Sequence, residues 1–392
     1  MGTHRLIYIR TDGNAKIASG HLVRCFSVAL ACRKLGMEVH FLVSDSESRL
    51  LLAQLMGSDT DFSITQLETA SYDSLEQELP EVLSILSSHN FDSSLPSGRT
   101  SSGARKPVFL LDSYYVTEHY LLSLWSYAQT AYLDDLRLFD YPADLVINYD
   151  VIPEDQMASY KTSYANAGQL LLGASYAPLR SQFQNRQTHL REKASDILVT
   201  TGGSDPLHFC LRLISQIADL LQTSNSSCAQ NHMLCAGKNF HIVIGKMNED
   251  KENLYRLAKE LPFLTLHENV QDMADLMSKC DLAVSAAGTT LYELCALGIP
   301  TISFIISDNQ LDCAGAFDRA NAIPCAGDLR VSADEVFQKI FQFIEDTAAL
   351  SGDSCAKRKA MHHRMTGLVD GNGAARIAHA LFCLCSSEKQ TL

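Results

Sequence analysis

From Leu6 to Ile306, segments that read as buried strands alternate with segments that read as helices, and this alternation leaves the chain few choices of fold. LIYIRT from Leu6 runs into HLVRCFSVALACRKLG from His21. EVHFLVS then precedes ESRLLLAQLMG, and VFLLD from Val108 precedes EHYLLSLWSYA, with TAYLDD and DLVINYD as further short strands. A second stretch with the same grammar begins at Ser195: SDILVTTGGSDP, HFCLRLISQIADLL, NFHIVIG, a charged helix, FLTLHENV, QDMADLMSKC, DLAVSAAG, TTLYELCALG and PTISFII. Strands joined by helices of this length pair in parallel. At 392 residues the chain exceeds one ordinary core and suits two domains of about 150–200 residues each. We read residues 1–185 as the first domain and 190–368 as the second, joined through the polar NRQTHLREK. Residues 369–392 form a final helix that packs back on the first domain. Two Ser-rich stretches, DSSLPSGRTSSGARKP ending at Pro107 and TSNSSCAQNH, read as loops. The second holds the Asn225-Ser226-Ser227 sequon, which carries no weight without a secretion signal.

Composition removes several classes of function. A net charge of −13 with no basic run leaves no surface for a polyanion, which excludes nucleic acid and acidic membranes as partners. A small anion remains compatible, because backbone N–H groups and helix starts hold phosphate without net positive charge. No apolar run reaches the roughly 20 residues of a membrane span, and the N-terminus lacks the pattern of a signal peptide, so the expected place is the cytoplasm. Twelve cysteines contain no CxxC pair. Cys25, Cys32, Cys210, Cys280 and Cys295 sit in apolar helical patterns as small core residues, and neither a metal site nor disulfides are expected.

Small-molecule sites in open parallel sheets lie at the carboxyl ends of strands, and four such places hold suitable residues. In IRTDGNAKIASGHLVRC a strand delivers Asp12 and Gly13 into a turn, and Gly20 precedes a helix whose first turn carries His21. The helix start disfavours imidazolium and leaves a base able to deprotonate water or a hydroxyl, although a histidine there also simply begins a helix. The segment matches neither GxGxxG nor Walker A, so a dinucleotide or P-loop site has no support. In VTTGGSDP, Gly202, Gly203 and Ser204 follow a strand and precede a helix expected near Pro206, an arrangement that exposes amides to a diphosphate or merely forms a βα turn. In SAAGTTLYELCALGIPTI, Gly288, Thr289 and Thr290 open a helix. Glu293 lies one turn further on the face of Thr289, placed to accept from both ribose hydroxyls or simply to face solvent. Asn309 and Gln310, after PTISFII, are amides that read sugar hydroxyl or acetamido groups, or helix caps. Asp112, Asp134 and Asp135 end strands and either order a site or cap turns.

Taken together, R-T-D-G-N-A-K-I-A-S-G-H-L-V-R-C resembles the N-terminal signature of the UDP-2,4-diacetamido-2,4,6-trideoxy-β-L-altropyranose hydrolases, enzymes of pseudaminic acid biosynthesis. LLDSYYV, AYLDDL, LLLGASYAPLR, LVTTGGSDP and LVDGNGAARIA follow in that family's order, so the likeness covers nearly the whole chain. SAAGTTLYELCALGIPTI resembles the donor helix of MurG-like glycosyltransferases. The resemblance implies a GT-B-like α/β fold, two Rossmann-like parallel-sheet domains facing each other across a cleft. It implies hydrolysis of a UDP-sugar at the anomeric carbon with inversion, His21 activating the water, by a monomer that needs no cofactor and no metal. Arg10, Asp12, Gly13, Gly20, Asp112, Tyr176, Asn309 and Gln310 would contact substrate, and Gly202, Gly203, Ser204, Gly288, Thr289, Thr290 and Glu293 the UDP. The alternative is a MurG-like inverting transferase in which the same base serves an acceptor hydroxyl. Two segments depart from the hydrolase pattern: Ala18 stands in place of a glycine, and Gly173-Ala174-Ser175-Tyr176 in place of Gly-Pro-Lys-Tyr.

Overall fold

Two parallel sheets organise the chain, one in each of two compact units: residues 1–181 with 372–392, and residues 182–371. The structure is a computed structural model and describes residues 5–17, 19–57, 60–68, 70–89, 106–186, 188–222 and 237–385. Ala18 and the two Ser-rich stretches, apart from Lys106 and Pro107, lie outside them.

In the first unit seven strands pair in the order β3-β2-β1-β4-β5-β6-β7. They are β1 (Arg5–Thr11), β2 (Met37–Val43), β3 (Ser63–Gln66), β4 (Val108–Asp112), β5 (Gln129–Leu133), β6 (Leu145–Asn148) and β7 (Leu170–Leu172). Every residue of β4, β5 and β6 is buried, as a parallel sheet covered on both faces requires. From β1 the chain steps outward to β2 and β3, then returns to place β4 on the other flank of β1. The loops after β1 and β4 therefore diverge at a topological switch point, where Thr11 and Asp112 are register partners. The helix Gly20–Lys34 follows β1, and the last helix, Gly373–Leu384, packs against it; Arg5 stacks 3.7 Å from the ring centre of Phe382 on that last helix.

The second unit repeats the plan with β8 (Asp196–Thr200), β9 (Asn239–Ile244), β10 (Leu264–Glu268), β11 (Leu282–Ala286), β12 (Thr301–Ile305) and β13 (Cys325–Asp328), in the order β10-β9-β8-β11-β12-β13. Its switch point lies between β8 and β11, where Thr200 pairs with Ser285. Thr200 leads into the turn of Gly202 and Gly203, and Ser285 into that of Gly288 and Thr289, so both glycine motifs open at this point. The Phe209 ring stacks between Phe304, with centroids 3.9 Å apart, and Phe337, at 5.4 Å, which fixes the helix after β8 to the core. Cys25, Cys32, Cys210, Cys280 and Cys295 are all buried. Among the described residues no helix is long and apolar enough to cross a membrane.

Candidate functional site

Asp112, the last residue of β4, is the centre of the first unit's polar site. Its Oδ1 meets Nδ1 of His21 at 2.6 Å and accepts from Nη2 of Arg24 at 2.5 Å. Its Oδ2 accepts from Nε of Arg24 at 2.6 Å and from the Cys25 thiol at 3.3 Å. His21 and Arg24 are three apart on the helix Gly20–Lys34, hence on one face. Burial alone would raise the Asp112 carboxyl, but the Arg24 guanidinium, and after it His21, outweigh that and hold it well below the usual carboxylate range. Burial and the same carboxylate push the Cys25 thiol far up, so it stays protonated and serves as a donor.

An ionised Asp112 can only accept, so we assign the ring proton of His21 to Nδ1. The 3.0 Å approach of Arg24 Nη2 to that nitrogen follows from two donors sharing one oxygen. This tautomer leaves the Nε2 lone pair free to take a proton, and Nε2 has no hydrogen-bond partner among the described residues. A pocket lies beside the ring. Asp12, Ile17 and Ser113 line it together with His21 and Asp112, and Tyr72, Tyr114 and Tyr115 supply aromatic walls. Tyr114 meets the imidazole edge-on, ring centres 4.4 Å apart. Burial and Asp135 push its phenol up to about 12, so it remains a hydrogen-bond donor.

The other expected contacts of the first unit fall into different places. Arg10 corrects the sequence reading. It is fully buried, Nε and Nη2 each 2.7 Å from the Glu78 carboxylate and Nη1 2.6 Å from Asp12, so its guanidinium holds Asp12 and does not face a ligand. Asp12 also accepts from the Ser44 amide at 2.7 Å. The Gly13 amide donates to Ser48 Oγ at 3.0 Å, and Gly20 is exposed at the helix start. Tyr176 lies in the turn Ala174–Tyr176, beside the start of the last helix, and does not line the His21 pocket. Asp134 is buried under the Tyr141 and Tyr164 hydroxyls, 3.1 and 2.6 Å away, and has a structural role. Arg24, Asp135 and Tyr149 were not legible as a group: Arg24 Nη1 donates at 2.6 Å both to Asp135 and to the Tyr149 hydroxyl.

In the second unit the two glycine turns differ. The helix after β8 starts at Phe209 and not near Pro206, and its first amides are taken by Asp205, from Phe209 at 2.8 Å and Cys210 at 2.9 Å. A carboxylate seated on that helix start repels phosphate, so any anion held there must rely on the turn itself. Gly202 has φ +84°, and the amides of Gly203 and Ser204 meet no acceptor among the described residues. Gly245, at the end of β9, backs this turn so closely that a Cβ would lie 2.3 Å from the Gly203 carbonyl oxygen. The helix Thr289–Leu297 has no side-chain cap. Its Gly288, at φ 151° and ψ −161°, adopts a backbone that only glycine takes without strain, which leaves the Thr289 and Thr290 amides at an uncapped start. Glu293 is half-buried one turn on. Gln310 uses its Oε1 on the Ile306 amide at 2.9 Å, keeping its NH₂ as a donor, while Asn309 Oδ1 accepts from Ser307 at 2.6 Å. Among the described residues no group of three or more His, Cys, Asp or Glu is placed to hold a metal ion.

Residues 197–354 match the glycosyltransferase family 28 C-terminal domain, so the match falls within the unit that carries both glycine turns. The chain is 27% identical to the spore coat polysaccharide biosynthesis protein SpsG of Bacillus subtilis over 221 residues, 55% of this chain and 59% of that protein. It thus spans little more than half the length of this relative. Among solved structures it is similar to MurG of Acinetobacter baumannii, with a TM-score of 0.61, 14% identity, and coverage of 97% of this chain and 99% of that one. It is also similar to a UDP-N-acetylglucosamine 2-epimerase, with a TM-score of 0.55, 13% identity, and coverage of 100% and 99%. At such identities the likeness establishes the fold: two Rossmann-like parallel-sheet domains of GT-B type, as read from the sequence.

Proposed function

We propose that this protein is an enzyme of nucleotide-sugar chemistry that acts at the anomeric carbon of a UDP-linked sugar, with His21 as general base. The observation that carries this reading is the His21–Asp112 pair at a sheet switch point: a carboxylate held ionised fixes the Nδ1–H tautomer and aims a free Nε2 at a pocket. The second unit is assigned the nucleotide. The Gly288, Thr289 and Thr290 turn takes the diphosphate, aided by the amides of Gly203 and Ser204, and Glu293 takes the ribose hydroxyls. This rests on the uncapped helix start and on the family 28 match. Asp12, Gly13, Gly20, Tyr176, Asn309 and Gln310 are kept as proposed sugar contacts.

In the reaction we favour, Nε2 of His21 takes a proton from water as the water oxygen bonds to the anomeric carbon from the face opposite the leaving group. The bond from that carbon to the diphosphate oxygen breaks, and UDP departs with the bonding pair. Asp112 stabilises the imidazolium that forms, which then returns its proton to solvent. UDP leaves as a stable anion, so no second carboxylic acid is needed to protonate it, unlike in ordinary glycosidases. Hydrolysis is supported by the signature from Ile9 to Cys25. The resemblance names the sugar class, a 2,4-diacetamido-2,4,6-trideoxyhexose.

The second reading is a MurG-like transferase, and the comparisons support it better than hydrolysis. The matched family is one of glycosyltransferases and MurG shares the fold, so His21 would deprotonate an acceptor hydroxyl in place of water. Incubation with UDP-diacetamido sugars and no acceptor separates the two. Release of UDP and free sugar is expected, and silence until an acceptor is added would give the site to the transferase.

A further inference from the structure

Arg24 belongs to none of the roles assigned so far, yet more of the site runs through it than through any other side chain there. Its guanidinium grips both oxygens of Asp112, at 2.6 Å and 2.5 Å, and ties the end of β4 to the ends of β5 and β6 through Asp135 and Tyr149. The geometry assigns Arg24 as the positioning residue of the His21–Asp112 base: its fork fixes the carboxylate plane that orients the imidazole, and its charge stands against the carboxylate that touches the ring. The inference rests on His21 being the base.

The charges around His21 do not cancel, because each guanidinium there is shared between two carboxylates. Asp112, from β4, is negative and touches the ring. Arg24, on the same helix, is positive. Asp135, after β5, shares Arg24 with Asp112, and Asp12, at the end of β1, shares Arg10 with Glu78. Cys25 stays a thiol and Tyr114 a phenol; Tyr72 and Tyr115 also line the pocket, and the Lys16 ammonium lies 5.3 Å from the Tyr72 ring centre. With Arg24 gone, the Asp112 carboxylate would face the imidazole with no guanidinium on it, which favours the protonated ring and removes the base. A lysine in its place would keep the charge, but one ammonium cannot reproduce a planar fork on two oxygens.

The test compares wild type, R24M, R24K and H21N, using UDP-2,4-diacetamido-2,4,6-trideoxy-β-L-altropyranose as substrate and an NMR pH titration of the His21 ring that needs no substrate. For R24M, the ring titration and the acid limb of the kcat profile are expected to move up by about one pH unit or more. Its kcat at neutral pH should fall at least about tenfold, with UDP affinity within about twofold. For R24K, the acid limb should hold while kcat falls at least about fivefold. A fold strut alone would lower the melting temperature, or change only KM, and leave the titration in place. That result in R24M overturns the assignment, and so does an R24K with wild-type kcat if R24M does not fold. H21N separates this failure from a deeper one: turnover by H21N removes the base itself, whereas a dead H21N beside an unshifted R24M removes only the role of Arg24.

Discussion

Replacing Asp112 by asparagine changes no shape and removes one charge, so its consequences follow from four hydrogen bonds. The carboxylate accepts from His21, twice from Arg24, and from Cys25. An amide has one acceptor oxygen. With that oxygen at the Oδ1 position, the NH₂ faces the donors Arg24 Nε and Cys25. With it at Oδ2, the NH₂ faces His21 Nδ1 and forces the ring proton onto Nε2, where the base needs its lone pair. Breaking a buried ion pair by removing one partner costs about 3–5 kcal/mol, but Arg24 keeps Asp135 at 2.6 Å, so about 2–4 kcal/mol is expected here. For a unit of this size that is a fall in melting temperature of about 5–10 °C. The tautomer change acts separately, and kcat for UDP release is expected to fall by about 10³–10⁴. Calorimetric melting and a continuous UDP-release assay on the same preparation read both. A D112N enzyme within tenfold of wild-type kcat, stable or not, would refute the claim that Asp112 sets the tautomer.

Three further expectations rest on other parts of the molecule. Asp150 is pushed up to about 6 by burial and by Asp135, so the folded chain holds its proton more tightly than the unfolded one. Its contribution to stability is full below about pH 4 and is lost as the pH rises through about 6. D150N, which keeps an acceptor for the Tyr160 hydroxyl at 3.0 Å, should therefore gain about 1–2 kcal/mol over wild type at about pH 7.5 and nothing at about pH 4, and parallel stability curves would contradict this. G288A meets no atom within 4 Å of its new Cβ, so its cost is backbone strain of about 1–3 kcal/mol, and UDP binding by calorimetry should weaken as the turn reshapes. Unchanged melting and unchanged affinity together would remove Gly288 from the nucleotide turn. D205A deprives Phe209 and Cys210 of their cap and should lose about 1–2 kcal/mol while UDP affinity stays within twofold; a tenfold rise, with the repelling carboxylate gone and the amides freed, would return that helix start to the nucleotide site.

The two-sheet architecture was legible because buried strands of a parallel sheet read as continuous apolar runs, as VFLLD does, and their glycine turns mark the carboxyl ends. Ser63–Gln66 is half-exposed and carries no such run, Leu170–Leu172 is apolar but only three residues long, and neither these strands nor the helix Leu79–His89 stands out in the sequence. His21 and Asp112 could each be singled out as strand-end or helix-start residues, but nothing in a linear sequence brings positions 91 apart into contact; the register of β1 on β4 does that. Arg10 was misassigned because its partner Glu78 is 68 residues away, and a buried bidentate pair looks the same in sequence as an open cation. Arg24 did leave a signal, the three-residue spacing from His21 that puts both on one helix face. Asp205 left one too, as an acidic residue just before a helix, and there the expected start near Pro206 concealed its role as the cap.

The account turns on water attacking carbon under the control of His21. Wild type and H21N should be incubated in ¹⁸O-labelled water with a UDP-diacetamido sugar and no acceptor, and the released UDP analysed by mass. The account predicts rapid release of unlabelled UDP by wild type and none above background by H21N, with UDP affinity equal in the two. Label in the UDP, which would mean attack at phosphorus, or wild-type turnover by H21N, would contradict it.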